Sequence, residues 1–208
     1  MAMVSYWKQI EKDLDWRQSE LAILKLLVVR SNPKTQKALL RSLLAMLYAH
    51  YQGFCVNSLL VYTKAVVSQG GPTKSHKEAL VMTSLSSVLK KIRTMNDADI
   101  LYYVSNEFDK RMNAAIAINE KDFETSNLYP NVLEDLCAKV GLECPAVIIN
   151  RSIIKSLVSR RNDIAHGQEN DVRDLGEYNK YENAAYEVMY SLALSIEEAL
   201  RFKYFLQI

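Results

Sequence analysis

The sequence has 208 residues, a length typical of one domain, so we expect a single domain over residues 1–208. Apolar residues make up 49% of it, which is enough to build a sizeable core. The net charge is only +2. No global electrostatic field therefore marks the chain as a nucleic-acid binder, and RNA binding would require a local basic cluster. Cys55, Cys137 and Cys144 lack metal-ligand spacing and fit a reducing, cytoplasmic compartment. We also expect no signal peptide and no transmembrane helix.

Six glycines and four prolines are few for this length, which predicts long helices rather than many strands. From 5 to 29, apolar residues at spacings of three, four and seven predict an amphipathic helix. A second helix is predicted to begin at Asn32-Pro33, since Asn caps helices and Pro is tolerated in their first turn. This helix is apolar on more than one face, which indicates a central place in a bundle or contact with a partner chain. Gly70 and the residues after it end the helix.

The middle of the chain is predicted to form helices over 80–92 and 98–112, a loop over 124–129 and a short helix over 131–140. A connector is expected at Cys144-Pro145. Asn150 is predicted to cap a helix that runs to about Ala165 and stops at Gly167. After a polar loop over 168–176, the last helix is predicted to run to about Phe205. The expected fold class is all-α: an up-down helical bundle with extra helices inserted in the middle.

The helix that follows Asn150 carries an unusual arginine. On a helical wheel one stripe is apolar and predicts the buried face; its members are Ile154, Leu157, Val158, Ile164 and Ala165. Arg161 falls in the middle of that stripe. Because arginine is almost never fully buried without a partner, Arg161 either pairs with an acid or a carbonyl, or lines a cleft that binds an anion.

Asn162 and His166 are four residues apart and therefore share a face of this helix, with Arg161 beside them. Histidine moves protons near neutral pH and arginine holds phosphate oxygens, so this set suits phosphodiester cleavage. No metal is needed when the ribose 2′-hydroxyl is the nucleophile, which would restrict the substrate to RNA. The spacing alone is weak, because about 0.4 matches are expected by chance. A histidine that faces the dipole at a helix C-terminus is the structural alternative.

The residues around this pair resemble a known signature. The segment Leu157-Val158-Ser159-Arg160-Arg161-Asn162-Asp163-Ile164-Ala165-His166-Gly167 is similar to the motif of HEPN domains (higher eukaryotes and prokaryotes nucleotide-binding). That motif is an arginine, a polar residue and, after four to six intervening positions, a histidine. The form of the motif in this chain, RN-x-IAHG over residues 161–167, resembles the stand-alone bacterial RNase-like branch of HEPN domains, the RiboL-PSP-HEPN type. Residues 44–54 are also similar to that branch, and residues 126–130 leading to 140–142 are more loosely so.

The resemblance covers most of the chain and implies a homodimer in which the two signature helices meet at a composite RNA-cleaving cleft. Proteins of this kind are metal-independent endoribonucleases, often toxins or antiphage effectors. By position, Arg161 and His166 would be catalytic and Asn162 would supply the polar group. Gln52 departs from the pattern, because glutamate is expected there. If that carboxylate pairs with Arg161 in relatives, an amide would do so more weakly.

Three residues are candidates for contact with the substrate: Arg160, Gln52 and Tyr178. For Tyr178 a packing role is the alternative to stacking on a base. A second basic cluster, Lys90 to Arg93, is interpreted as a solvated helix face. His50 is expected to be a buried, hydrogen-bonded histidine, and His76 to be an exposed loop residue.

Two main functions remain open at this point. The first is a dimeric ribonuclease that needs no cofactor and no metal. The second is a non-catalytic HEPN-like module that binds a nucleotide, an RNA or a protein in the same cleft, which the near-neutral charge and Gln52 favour somewhat. A weaker hypothesis is the neutralising partner of a two-gene pair. A cognate antitoxin or regulatory protein is a further expected partner, and no membrane is expected.

Overall fold

A computed structural model of the chain describes residues 2–169 and 172–207. Within these ranges the chain forms ten α-helices, two short 3-10 segments (Thr73–Ser75 and Glu120–Phe123) and no β-strand, which confirms the all-α prediction. The helices are α1 (Ala2–Arg30), α2 (Pro33–Gln69), α3 (Glu78–Ser84), α4 (Ser86–Ile92), α5 (Asp97–Asn106), α6 (Phe108–Asn113), α7 (Pro130–Lys139), α8 (Pro145–Ile149), α9 (Arg151–Ala165) and α10 (Leu175–Arg201).

Four long helices form the bundle, and side-chain contacts fix their directions. Arg17 of α1 reaches His50 of α2, whereas Asp13, earlier in α1, meets Asn57, later in α2. These two helices are therefore antiparallel. Arg161 meets Gln52, whereas Gln168, just past the end of α9, accepts from Arg41, so α9 runs antiparallel to α2. The pairs Arg160–Glu177 and Ser156–Tyr181 show the same for α9 with α10. The bundle thus has the predicted up-down connectivity, with residues 70–149 inserted between α2 and α9.

Helix α2 is the centre of the bundle. It contacts α1, α7, α9 and α10, and it buries residues on several faces, as its apolar composition predicted. Asn32 caps it, because the side-chain oxygen accepts the Thr35 amide hydrogen at 3.0 Å. At its other end Gly70 takes a φ of 70°, a backbone conformation that favours glycine.

The predicted helix over 80–92 is wrong in one respect, because the chain breaks at Leu85 into α3 and α4. The two pieces are anchored to different neighbours. On α3 the Thr83 hydroxyl donates to the Lys139 carbonyl of α7 at 2.6 Å, whereas on α4 the Ser86 hydroxyl donates to Asp122 at 3.1 Å. The predicted helix over 98–112 likewise breaks at Glu107 into α5 and α6. At Leu85, tertiary anchoring therefore overrides a continuous helical pattern.

Three other local predictions need correction. The expected connector after Cys144 contains the short helix α8, which packs the buried Val147 into the core. Asn150 does not cap α9 with its side chain, which instead donates to Glu187 at 2.8 Å. His76 is fully buried against Phe205 rather than exposed, with ring centres 6.3 Å apart.

The final helix ends at Arg201, four residues before the predicted end. It begins at Leu175, where the Asp174 carboxylate caps it by accepting the Glu177 amide hydrogen at 2.8 Å. The predicted loop over 168–176 lies partly outside the described residues.

None of the three cysteines forms a disulfide, and all three are buried. Among the described residues, no helix combines the length and apolar character that crossing a membrane requires.

Candidate functional site

The signature arginine lies where α9 meets α2. Ile154, Leu157 and Val158 are fully buried, as the wheel predicted, and Arg161 continues this stripe one turn further as a half-buried residue. Its guanidinium carbon stands 4.0 Å from the centre of the Tyr48 ring, within cation–π range. The stripe does not extend to Ala165, which is exposed, so that part of the prediction is wrong for the single chain.

The hydrogen bonds of Arg161 go to two neutral amides. Nη1 donates to Asn162 Oδ1 at 2.9 Å, and Nη2 donates to Gln52 Oε1 at 3.4 Å. No carboxylate of the described residues forms an ion pair with this guanidinium. Its position is therefore held while its positive charge stays uncompensated, which is the state that attracts a phosphate.

Gln52 also explains why an amide suits its position. Its Nε2 donates to the Thr125 carbonyl at 3.0 Å while its Oε1 accepts from Arg161. A carboxylate at residue 52 would have no hydrogen to donate to that carbonyl. Gln52 thus connects the signature arginine of α9, through α2, to the loop over 124–129.

Tyr48 holds the same loop from one helical turn away. The buried Tyr48 hydroxyl accepts the Leu128 amide hydrogen at 2.9 Å. Its ring lies beneath the Arg161 guanidinium, so one side chain positions both the loop and the cation. This role of Tyr48 was not predicted from the sequence. The available signal was the spacing of Tyr48 and Gln52, which are four residues apart and therefore share one face of α2.

An open groove of about 710 Å³ lies in front of Arg161. The outward face of α2 forms its floor, and the loop residues Glu124 and Thr125 form part of its wall. The floor residues are Ala45, Tyr48, Ala49, Gln52, Gly53, Val56, Asn57 and Leu60. Most of them are small or apolar, so the flat face of a nucleobase can lie on the floor while a phosphate reaches the guanidinium.

His166 lies at the exposed C-terminal end of α9. The turn after it is built by hydrogen bonds from the Gly167 amide to the Ile164 carbonyl (3.1 Å) and from the Gln168 amide to the Asp163 carbonyl (2.9 Å). This is a Schellman arrangement, with Gly167 at a φ of +73°. The predicted stop at Gly167 is confirmed, and this glycine is present for its backbone conformation, since a Cβ there would meet nothing within 4 Å.

The structure brings Arg161 into contact with both Asn162 and Gln52, but it does not join His166 to them. The imidazole of His166 makes no hydrogen bond to any residue within 2–169 or 172–207. It lies one turn of α9 beyond Asn162, and its main-chain amide donates to the Asn162 carbonyl at 2.9 Å. The imidazole is thus exposed to solvent, to a substrate or to a second chain.

Arg160 faces a different side of α9, toward α10. Its Nη1 forms an ion pair with Glu177 of α10 at 2.8 Å and lies 3.3 Å from the Tyr181 hydroxyl. Burial raises the pKa of Glu177, but the Arg173 amide and the Arg160 guanidinium outweigh burial and hold that pKa below its usual range. In the single chain Arg160 therefore joins α9 to α10 rather than lining the groove.

Tyr178 is fully buried, so the expected stacking on a substrate base has no exposed ring surface to use. Its ring packs beneath the Lys25 ammonium, 5.6 Å from the ring centre, and Lys25 forms an ion pair with the buried Glu182. The expected stacking role of Tyr178 is therefore wrong, and its ring packs between α10 and α1 instead. The part of the chain that the structure describes contains no group of three or more His, Cys, Asp or Glu placed to hold a metal ion.

Comparison with known families identifies the chain. The family model described as HEPN_MAE_28990-like HEPN matches residues 7–205. The name of the matched family differs from the RiboL-PSP-HEPN type that the motif suggested. Both are families of the HEPN superfamily. No curated protein and no solved structure matches. Because the match spans nearly the whole chain, with the Arg161–His166 signature inside it, this protein belongs to the HEPN superfamily.

Proposed function

We propose that this chain is a metal-independent endoribonuclease that acts as a homodimer, with a composite arginine–histidine cleft. The observation that carries the proposal is the setting of Arg161. Its guanidinium is half-buried, held by Tyr48, Gln52 and Asn162, uncompensated by any described carboxylate and placed on the wall of a groove. Family membership supports the same assignment at the coarser level of a nuclease-like or RNA-binding module.

The proposed reaction is an internal transesterification of RNA. His166 accepts the proton of a ribose 2′-hydroxyl, and the 2′-oxygen attacks the adjacent phosphorus. The bond from phosphorus to the 5′-oxygen of the next nucleotide breaks, and that oxygen takes a proton from a protonated histidine or from water. The products are a 2′,3′-cyclic phosphate and a 5′-hydroxyl end. Arg161 stabilises the negative charge that develops on the phosphorane oxygens, and Asn162 holds Arg161 in place.

In this proposal the second chain supplies the remaining part of the cleft. His166 is exposed and does not contact Arg161 within its own chain, which favours a site completed by a second signature helix. We place the protein in the cytoplasm as a toxin or antiphage effector, with a cognate antitoxin or regulatory protein as its natural restraint. The alternative, a non-catalytic module that binds RNA or nucleotide in the same groove, is favoured by the amide at Gln52.

The deciding experiment is cleavage of single-stranded RNA in EDTA. Arg161→Ala and His166→Ala are each expected to slow cleavage by roughly 10²–10⁴-fold, because each removes a group that acts in the transition state. Arg151→Ala is the matched control. Arg151 is on the same helix and pairs with Glu134 at the surface at 2.7 Å, so its loss should leave the rate unchanged.

The products distinguish the alternatives. New 2′,3′-cyclic phosphate ends, detected by mass spectrometry, support the proposed reaction. Equal cleavage by the wild type and all three variants would mean that a contaminant cuts the RNA and that the proposal is wrong. Tight RNA binding without any cleavage by the wild type would select the binding module instead.

A further inference from the structure

A second depression, separate from the Arg161 groove, lies in the inserted region. Two adjoining cavities of about 320 and 330 Å³ open between α3, α4, α7 and the Glu120–Phe123 segment, and they share Thr83, Ser86, Lys90 and Asp122. We call the combined space the α4 basin. Its cationic lining residues are Lys90, Arg111 and Lys139.

The charges of the α4 basin do not cancel. Lys139 Nζ donates to the Asp122 backbone carbonyl at 2.8 Å, which holds its cation at the rim without neutralising it. The side chains of Lys90 and Arg111 make no hydrogen bond or ion pair with any residue that the structure describes. Among the described lining residues, Asp122 is the one carboxylate, and it accepts the Ser86 hydroxyl at 3.1 Å. Three cations against one anion leave a local charge of +2.

The basin also offers neutral hydrogen-bond donors. Ser84 is buried, with 7% of its surface exposed, and its hydroxyl makes no hydrogen bond to a described residue. Ser87 and Asn119 line the same cavity. The hydroxyl of Thr83, in contrast, is occupied by the Lys139 carbonyl at 2.6 Å. Hydroxyl and amide donors beside two uncompensated cations form a set suited to a compact oxyanion.

We propose that the α4 basin binds a terminal phosphate group, carried either by a free nucleotide or by the 5′ end of an RNA. A terminal phosphate carries nearly two negative charges at neutral pH, which matches the local charge of +2, whereas a phosphodiester carries one. Lys90 and Arg111 contact the phosphate oxygens, and the Ser84 hydroxyl donates to the same group. The combined volume accommodates a mononucleotide.

One short segment links the α4 basin to the Arg161 groove. Asp122 lines the basin, Glu124 and Thr125 line the groove, and Phe123 between them is fully buried. The inference rests on the basin alone and stands whether or not Arg161 and His166 cleave RNA.

The test is isothermal titration of the full chain with AMP, with adenosine, and with 5′-phosphorylated and 5′-hydroxyl forms of one 2′-O-methyl oligonucleotide. The 2′-O-methyl groups prevent cleavage through the 2′-oxygen. At least one phosphorylated ligand is expected to bind about tenfold or more tightly than its unphosphorylated form. AMP binding assigns the site to free nucleotides, and oligonucleotide binding assigns it to RNA ends.

The double variant Lys90→Ala with Arg111→Ala should weaken that binding by about tenfold or more. The matched control is Lys91→Ala with Arg93→Ala, which removes the same two residue types from the exposed surface of the same region outside the basin. It should change the affinity by less than about twofold. Equal losses in the two double variants would overturn the proposal, as would equal affinity for phosphorylated and unphosphorylated ligands, or no binding below about 1 mM.

Discussion

Tyr48 illustrates how much a single side chain decides at this site. Its ring supports the Arg161 guanidinium at 4.0 Å, and its hydroxyl accepts the Leu128 amide hydrogen at 2.9 Å. Gln52 likewise contacts both Arg161 and Thr125. Tyr48 and Gln52 therefore each hold the Arg161 guanidinium and the loop over 124–129. A substitution of either side chain is therefore expected to affect both the loop and the guanidinium.

A matched pair of tyrosines tests the hydroxyl contact. Tyr48→Phe removes the acceptor of a buried amide and should lower the free energy of unfolding by about 1–3 kcal/mol. Tyr51, one turn later on α2, is also buried, but its hydroxyl has no hydrogen-bond partner among the described residues. Tyr51→Phe should therefore be neutral within about 0.5 kcal/mol, or stabilising. Urea denaturation measures both variants, and equal destabilisation would contradict the assigned role of the Tyr48 hydroxyl.

At the scale of elements, the α1–α2 contact contains a buried histidine, as expected for His50. Its Nε2 lies 2.7 Å from Glu20, its Nδ1 lies 3.3 Å from Arg17, and its ring meets Trp16 edge-on, with centres 5.1 Å apart. Asp13, paired with Arg17 at 3.1 Å, completes the charged surroundings. Burial lowers the pKa of His50, Arg17 lowers it further, and together they outweigh Glu20 and Asp13, which raise it.

This pKa shift predicts a pH dependence of stability. Because the pKa of His50 is lower in the folded chain than its usual 6.5, the unfolded chain binds a proton first as the pH falls. The contribution to stability is complete above pH 6.5 and is lost as the pH falls through the folded value. Between about pH 7.5 and 5.5 the wild type should lose more thermal stability than His50→Gln, in which this group cannot titrate. Parallel melting-temperature curves for the two proteins would contradict the prediction.

At the scale of the whole molecule, the outer surface of α9 bears on the proposed dimer. Ala165 lies in the direction of the apolar stripe yet is exposed, beside the exposed His166, so the described residues of the chain leave this end of the helix uncovered. The groove floor offers further small residues at Ala45 and Ala49. A second signature helix packed at this position would cover the stripe and place two histidines near two arginines.

Substitution at Ala165 tests this arrangement. Ala165→Arg would bury an unpaired charge in the proposed interface and should convert a dimer to a monomer in sedimentation equilibrium, a loss of affinity of about a hundredfold or more. Ala98→Arg is the control, since Ala98 is an exposed alanine on α5, away from the signature. A wild type that is monomeric, or an Ala165→Arg protein that remains dimeric, would rule out an interface through this end of α9.

The fold was predictable where a pattern is long and local. The spacing of Ile10, Leu14, Leu21 and Val28 marked α1, and Asn32 and Gly70 marked the limits of α2, because caps and apolar periods depend only on neighbouring residues. The breaks at Leu85 and Glu107 were not predictable in this way. At Leu85 the break depends on which neighbour each half of the segment is anchored to, and those neighbours lie far away in sequence.

The sequence by itself determined the helical class, because composition and apolar periods along the chain are local properties. It also determined the buried stripe of α9 and the motif that contains Arg161, Asn162 and His166, since these lie within a few turns of one helix. Only the tertiary structure decided that Arg160 pairs with Glu177, and that Gln52 joins Arg161 to the loop. Each of these contacts joins residues at least 17 positions apart, and partners at such separations are set by the packing of helices against one another. The signature arginine was therefore identified from its neighbours in sequence, and its supports from its neighbours in space.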